Sequence, residues 1–186
     1  MPKPSVAPFE LGALLEGAGF AQGMVSPDVA VRVSGVEDAT LYLGDERLLG
    51  QAFGNLVKNA VQAIEGMPED AEVRGAVDID ITRTDKHVEI VIEDNGRGFP
   101  DEARDKLLEP YVTTKEKGTG LGLAIVNRII MDHGGSISLQ HRSDGLRGAR
   151  VRVLMPIEGC LEFGGDATTD PDTARTDHSA PEEVPV

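Results

Sequence analysis

The segment Val88-Glu89-Ile90-Val91-Ile92-Glu93-Asp94-Asn95-Gly96-Arg97-Gly98 carries two signals at once. Its first seven residues read as a strand, with Val88, Ile90, Ile92 and Asp94 on one face and His87, Glu89 and Glu93 on the other. The apolar set faces a core, so Asp94 is aimed inward at the strand's end. A carboxylate there is costly unless a hydrogen-bond donor meets it. A turn amide or a structural water is one such donor, and an adenine amino group is another. An ionised carboxylate can only accept, which favours adenine's amino group over guanine's carbonyl. Gly96 and Gly98 then let the backbone approach a base and open a loop.

Outward from this strand, Ala76 to Arg83 is a second one, joined to it through a polar turn at 84–86, which makes a hairpin. Ser136 to His141 and Ala149 to Met155 form another hairpin. Before them, Asp45 caps a helix to about Ile64 whose stripe Leu49, Phe53, Leu56, Val57, Ala60 and Ile64 has the helical period. A second helix runs from Leu121 to Asp132 and is stopped by Gly134 and Gly135. Weaker elements are a glycine-rich helix over Phe9 to Phe20, strands at Val29 to Val33 and Thr40 to Leu43, and a short helix over Asp101 to Leu108. Helices and mostly antiparallel strands segregate, so the expected class is α+β, one sheet with helices on one face. Residues 95–120 make an unusually long irregular stretch for a compact domain, which points to function. The expected organisation is a linker remnant over 1–8, one domain over 9–157, and an acidic disordered tail over 158–186.

The long helix carries a polar stripe away from its core face. Asn55 and Asn59 are four residues apart and project together, with Lys58 and Gln62 beside them. A solvated face is the ordinary reading, but Asn is a poor helix former, and its side-chain oxygen is a hard ligand suited to Mg²⁺. Gly118-Thr119-Gly120-Leu121-Gly122-Leu123 is a glycine-rich turn opening a helix, either as flexible punctuation or as an anion site made of backbone amides. It lacks the Lys-Ser/Thr ending of a P-loop, and no strand precedes it as in a dinucleotide fold. Thr113, Thr114 and Lys115 lie just upstream, where Lys115 offers a cation to a terminal phosphate. His87, His133, His141 and His178 have no metal-ligand spacing, and no Ser or Cys sits in a nucleophile setting.

In order and spacing these segments resemble the catalytic domain of sensor histidine kinases, within the GHKL group of ATP-binding proteins. Asn55 to Ile64 is similar to the N box, Glu93 to Phe99 to the first glycine box, Leu108 to Lys115 to the F box, and Gly118 to Leu123 to the second glycine box. The resemblance spans about Asp45 to Pro156, and its wording is most like nitrogen-regulation kinases of the NtrY or NtrB kind. It implies a two-layer α/β sandwich of the Bergerat type with a mixed sheet and a flexible ATP lid over 95–120. It further implies Mg²⁺ on Asn59 with Asn55 nearby, Asp94 on adenine, Gly96 and Gly98 against the base, the Gly120 region on phosphates, and Lys115 neutralising them. Lys58, Tyr111, Thr113, Thr114, Gly118, Thr119, Leu121, Gly122 and Leu123 complete the implied nucleotide site, and Asn59 and Lys115 its catalytic pair. Tyr111 and Val112 stand where the F box often has two Phe residues, and Gly148-Ala149 replaces a more usual Gly-Thr.

The implied function is donation of the γ-phosphate of Mg-ATP to a histidine on a separate dimerisation domain, with a response regulator as indirect partner. No His of this chain lies in the phosphoacceptor context, and a monomer is expected. A GHKL ATPase would need a Glu where Asn55 stands. Two rival functions are an anti-sigma serine kinase and a nucleotide-binding docking module without transfer activity. The net charge of −14 argues against nucleic acid, and from Glu158 onward eight acidic residues face only Arg175. No apolar run approaches the ~20 residues of a membrane span. With the lone Cys160, these features predict a cytoplasmic domain, including as the cytoplasmic part of a membrane-anchored sensor.

Overall fold

The computed structural model describes residues 5–36, 41–67, 74–100, 104–112, 120–142 and 144–161. Its elements in chain order are β1 (Ala7–Glu10), α1 (Leu11–Val25), β2 (Ala30–Ser34), β3 (Leu41–Gly44), α2 (Glu46–Glu65), β4 (Ala76–Arg83), β5 (His87–Asp94), α3 (Gly122–Asp132), β6 (Ser136–His141), β7 (Ala149–Pro156) and β8 (Cys160–Leu161). Short 3-10 turns lie at Asp105–Leu108 and Ile157–Gly159.

The main sheet has the order β2-β4-β5-β7-β6. Only the β2–β4 pair is parallel, and the other three are antiparallel. The period of two sorts each strand cleanly. Val77, Ile79 and Ile81 of β4, Val88, Ile90 and Ile92 of β5, and Val151, Val153 and Met155 of β7 are all buried in one core. The helices cover that face. α2 contributes Leu49, Phe53, Leu56, Val57 and Ile64 to the same core, and α3 contributes Val126, Ile129 and Ile130. Each fully buried aliphatic side chain contributes about 1.5–3 kcal/mol, so this layer dominates stability. The outer face is ionic, with Arg150 donating to Glu93 at 3.0 Å, Arg152 to Glu89, and Arg32 to Asp78 at 2.6 Å.

Asp45 caps α2 as the sequence indicates, its Oδ1 accepting from the Leu48 amide at 3.0 Å. The Asp45 amide in turn donates to His133 Nε2 at 3.0 Å, while His133 Nδ1 donates to the Ile129 carbonyl at 2.8 Å. His133 therefore bridges the start of α2 and the end of α3.

The mixed main sheet with helices on one face is the expected class, and a second small sheet is added to it. The strands do not form one sheet: β1, β3 and β8 make a separate antiparallel sheet in the order β1-β3-β8. Pairing therefore reaches back to Ala7 and Pro8, which a linker over 1–8 would leave outside the domain, and forward to residues 160–161, past the boundary at 157. Phe9 meets Tyr42 edge-on at 6.2 Å, which gives the small sheet its own apolar contact. α1 also runs on to Val25, beyond Phe20. Gly19 lets α1 lie close against β2, since a Cβ there would lie 3.2 Å from Val31 Cγ1. The acidic segment 162–186 and the first residues 1–4 lie outside the described residues.

Candidate functional site

Asp94 ends β5 with only 4% of its surface exposed. Its Oδ1 accepts from the Gly96 amide at 2.9 Å and from the Ala149 amide at 3.3 Å. A turn amide thus does meet the inward carboxylate, but both backbone donors fall on one of its two oxygens. Burial pushes its carboxyl above the usual carboxylate range, while the Gly96 and Ala149 amides and the Arg142 charge act in the opposite sense. Asn95, next in sequence, turns away. It accepts from the Ala76 amide and donates to the Arg74 carbonyl, both at 2.8 Å, and so seals the start of β4.

Glycine is required around Asp94 by contact. A Cβ on Gly96 would stand 2.7 Å from the Ala63 carbonyl carbon and 2.9 Å from Asp94 Oδ1. Gly98 and Gly148 have φ of 76° and 141°, and they face each other. A Cβ on Gly148 would lie 1.9 Å from the Asp94 carbonyl oxygen, and one on Gly98 2.9 Å from the Gly148 oxygen. Sequence reasoning misses the place of Gly148 and Ala149 against Asp94. The signal for it is the Gly-Ala pair itself, just before the last long strand.

The turn after Asp94 presses on α2, where the Arg97 amide donates to the Ala63 carbonyl at 3.4 Å. Ala63, Asn59 and Asn55 follow one another at four-residue spacing on that helix. At 1.5 Å per residue, Asn59 lies roughly 6 Å and Asn55 roughly 12 Å along the helix from the Asp94 turn. Both asparagines are half-buried, and Lys58 beside them is exposed. The two sequence signals therefore share one wall, with Asp94 near one end and the asparagines further along.

The other wall starts at α3. Leu121 occupies its N-cap position without a capping side chain, and Gly122 and Leu123 form the first turn. Uncapped amides at a helix start suit an anion. Gly120, with φ of 66°, accepts from the Tyr111 amide at 3.0 Å, and a Cβ on it would strike Tyr111 C at 2.5 Å. Tyr111 itself has φ of 68° and is 79% exposed, a left-handed conformation rare for an aromatic residue. Thr113, Thr114, Lys115, Gly118 and Thr119 lie outside the described residues.

This donor set fits an adenine nucleotide. It offers a buried acceptor at Asp94, asparagine oxygens along α2, and uncapped amides at the start of α3. Among the described residues no cluster of three or more His, Cys, Asp or Glu could hold a metal. A hard cation here would rest on Asn oxygens and phosphate, the arrangement usual for Mg²⁺. No helix of the described residues is long and apolar enough to cross a membrane.

Known proteins share both the sequence pattern and the architecture. The model of the histidine kinase-, DNA gyrase B- and HSP90-like ATPases matches residues 44–159. Nitrogen regulation protein NtrY of Azorhizobium caulinodans is 43% identical over 169 residues, covering 91% of this chain and 22% of NtrY. The chain spans about a fifth to a quarter of the length of the curated relatives it matches. Among solved structures, the mycobacterial sensor histidine kinase MprB superposes with a TM-score of 0.70 at 24% identity, over 82% of this chain and 97% of that one. Full-length ShkA in complex with AMPPNP superposes with a TM-score of 0.67 at 28% identity, over 82% of this chain and 31% of ShkA. The chain belongs to the histidine kinase-, DNA gyrase B- and HSP90-like ATPase family, as an ATP-binding domain of the kind found in sensor histidine kinases.

Proposed function

We propose that this domain binds Mg-ATP in the cytoplasm and donates the γ-phosphate to a histidine on a separate dimerisation domain, which then serves a response regulator. The observation that carries the reading is Asp94: a buried carboxylate with both backbone donors on Oδ1, at one end of the asparagine wall. Its second oxygen takes the adenine amino group, which an ionised carboxylate prefers over the guanine carbonyl. Gly96 and Gly98 admit the base, and Gly120 to Leu123 offer amides to the phosphates. Tyr111, Thr113, Thr114, Lys115, Gly118 and Thr119 belong to the lid over 95–120, with Lys115 and Lys58 as cations. Asn59 and Asn55 hold Mg²⁺, which when bound neutralises charge on the phosphate oxygens.

In the transfer step a ring nitrogen of the acceptor histidine bonds to the γ-phosphorus while the bridging bond to the β-phosphate breaks and ADP leaves. Catalysis here is positioning and charge neutralisation. The chain places Asn55, which cannot act as a base, where an ATPase would hold a Glu to activate water. Hydrolysis by the domain alone is therefore expected to be slow.

Calorimetry with ATP, ADP and GTP in Mg²⁺, on the parent chain and Asp94→Ala, tests the pocket. Adenine-selective binding lost in the variant is the expected result. Equal affinity for GTP, or unchanged ATP binding by the variant, overturns the assignment of Asp94. Transfer of labelled phosphate to a supplied histidine domain tests the reaction, and fast turnover without any acceptor would refute it.

A further inference from the structure

Beside the Asp94 turn lies a second concavity, which shares Gly98 with the proposed nucleotide site but is lined mainly by other residues. It has a volume of about 280 Å³ and sits between the first glycine turn and the β6–β7 connection. Its lining includes Arg97, Phe99, His141, Arg142, Leu146 and Arg147. Arg104 adjoins it, its Nη2 standing 2.5 Å from Nε2 of the lining His141. Three arginines thus line one cleft, with a fourth next to it, in a chain whose net charge is −14. Arg142 is occupied, donating to both oxygens of Asp144 at 3.1 and 2.6 Å. Arg97 and Arg147 are exposed and have no ion-pair partner among the described residues. Leu146, 66% exposed, adds an apolar lip beside Phe99. The cleft therefore suits an acidic peptide with scattered apolar residues, since arginine forks take carboxylates bidentately.

This chain carries such a peptide. Residues 162–186 hold seven acidic side chains against Arg175, interleaved with Ala, Pro and Val. Reach permits the contact. The cleft lies at the Ala149 end of β7, and β8 follows the opposite end. β7 has eight residues, and strands rise about 3.4 Å per residue, so the gap is roughly 27 Å. An extended chain covers about 3.3 Å per residue, so the stretch from Leu161 to Asp170 spans roughly 30 Å. Tethering also supplies an effective concentration on the order of millimolar, so weak docking suffices. We propose that the arginine cleft between the Gly98 turn and the β6–β7 connection is the docking site of the chain's own acidic segment 162–186, centred on Asp170 to Asp177.

The test uses the full chain, ¹⁵N-labelled, with Cys160→Ala and Ala174→Cys carrying a nitroxide. Docking broadens the amides of Gly98, Gly145, Leu146 and Arg147 at low salt. The broadening disappears at about 1 M salt, where the screening length is roughly 3 Å. It is also lost in Arg97→Glu/Arg147→Glu and, with the folded part untouched, when Asp166, Asp170, Asp172 and Asp177 are changed to Asn. The proposal fails on absence of broadening at the cleft, broadening centred on another surface, or broadening that persists in either variant. Broadening that appears only in mixtures of spin-labelled and ¹⁵N-labelled chains overturns the intramolecular assignment. None of these readouts depends on nucleotide, so the result stands apart from the fate of the ATP proposal.

Discussion

Replacing Asp94 by Asn separates binding from stability in opposite directions. The Gly96 and Ala149 amides both point at Oδ1, so the Asn carbonyl keeps that place and its NH₂ occupies the position of Oδ2. A donor then faces the adenine amino group, itself a donor. The variant loses a hydrogen bond to a charged acceptor, about 1.5–3 kcal/mol, and leaves a buried donor unpaired, about 1–3 kcal/mol more. ATP affinity is expected to fall by roughly 100-fold or more, because 1.4 kcal/mol corresponds to tenfold. Stability moves the other way. Burial raises the carboxyl pKa in the folded state, so the proton-linked stability from Asp94 is fully present below its unfolded pKa and is lost as pH rises through the folded value. At neutral pH the ionised carboxylate opposes folding, and a neutral amide removes that opposition. An unchanged or slightly raised midpoint, within about 1 kcal/mol, is expected for Asp94→Asn. Calorimetry and urea unfolding of the same sample measure both quantities. An Asn variant that binds ATP like its parent, or that unfolds much more easily, refutes the reasoning.

Gly148→Ala places a Cβ where the Asp94 carbonyl oxygen already sits, at a φ of 141°, so the backbone itself must shift. A loss of about 3 kcal/mol or more in urea unfolding is expected. Tyr111→Gly releases a left-handed aromatic residue, worth about 1–2 kcal/mol, against a glycine entropy term of about 0.5–1 kcal/mol. Thermal unfolding should show a small gain, and a loss would mean that the Tyr111 side chain contributes packing that outweighs the strain. The hydrogen bond and charge of Arg152 hold the Glu89 carboxyl below its ordinary range. Its stability contribution is present above the unfolded pKa and is lost as pH falls through the folded one. Glu89→Gln should therefore flatten the acid limb of a stability–pH curve, and an unchanged limb would show the pair to be inert.

What can be read from sequence tracks how local the determinant is. β4, β5 and α2 are legible because eight-residue alternation and a capped helical stripe are self-contained patterns. The inward aim of Asp94 follows from the same alternation. The small sheet is not legible, because strands of four and two residues carry no period, and β3 meets β8 across more than a hundred positions. The parallel pairing of β2 with β4 is a tertiary choice of the same kind. Within the site, the Ala149 amide is invisible because a backbone donor leaves no trace in residue type. Likewise His133 reads as a helix-end residue, while its link to the Asp45 amide depends on how two distant helix termini meet.

The hydrogen bond from the Tyr111 amide to the Gly120 carbonyl brings together the two ends of a loop. Closing a loop across fixed ends becomes harder only with the logarithm of its length, about 0.6 kcal/mol for each doubling. Insertions between Val112 and Gly120 should therefore be tolerated where insertions in β5 or α2 are not. A designer could vary the length of that segment, and so disturb nucleotide contacts, without redesigning the core.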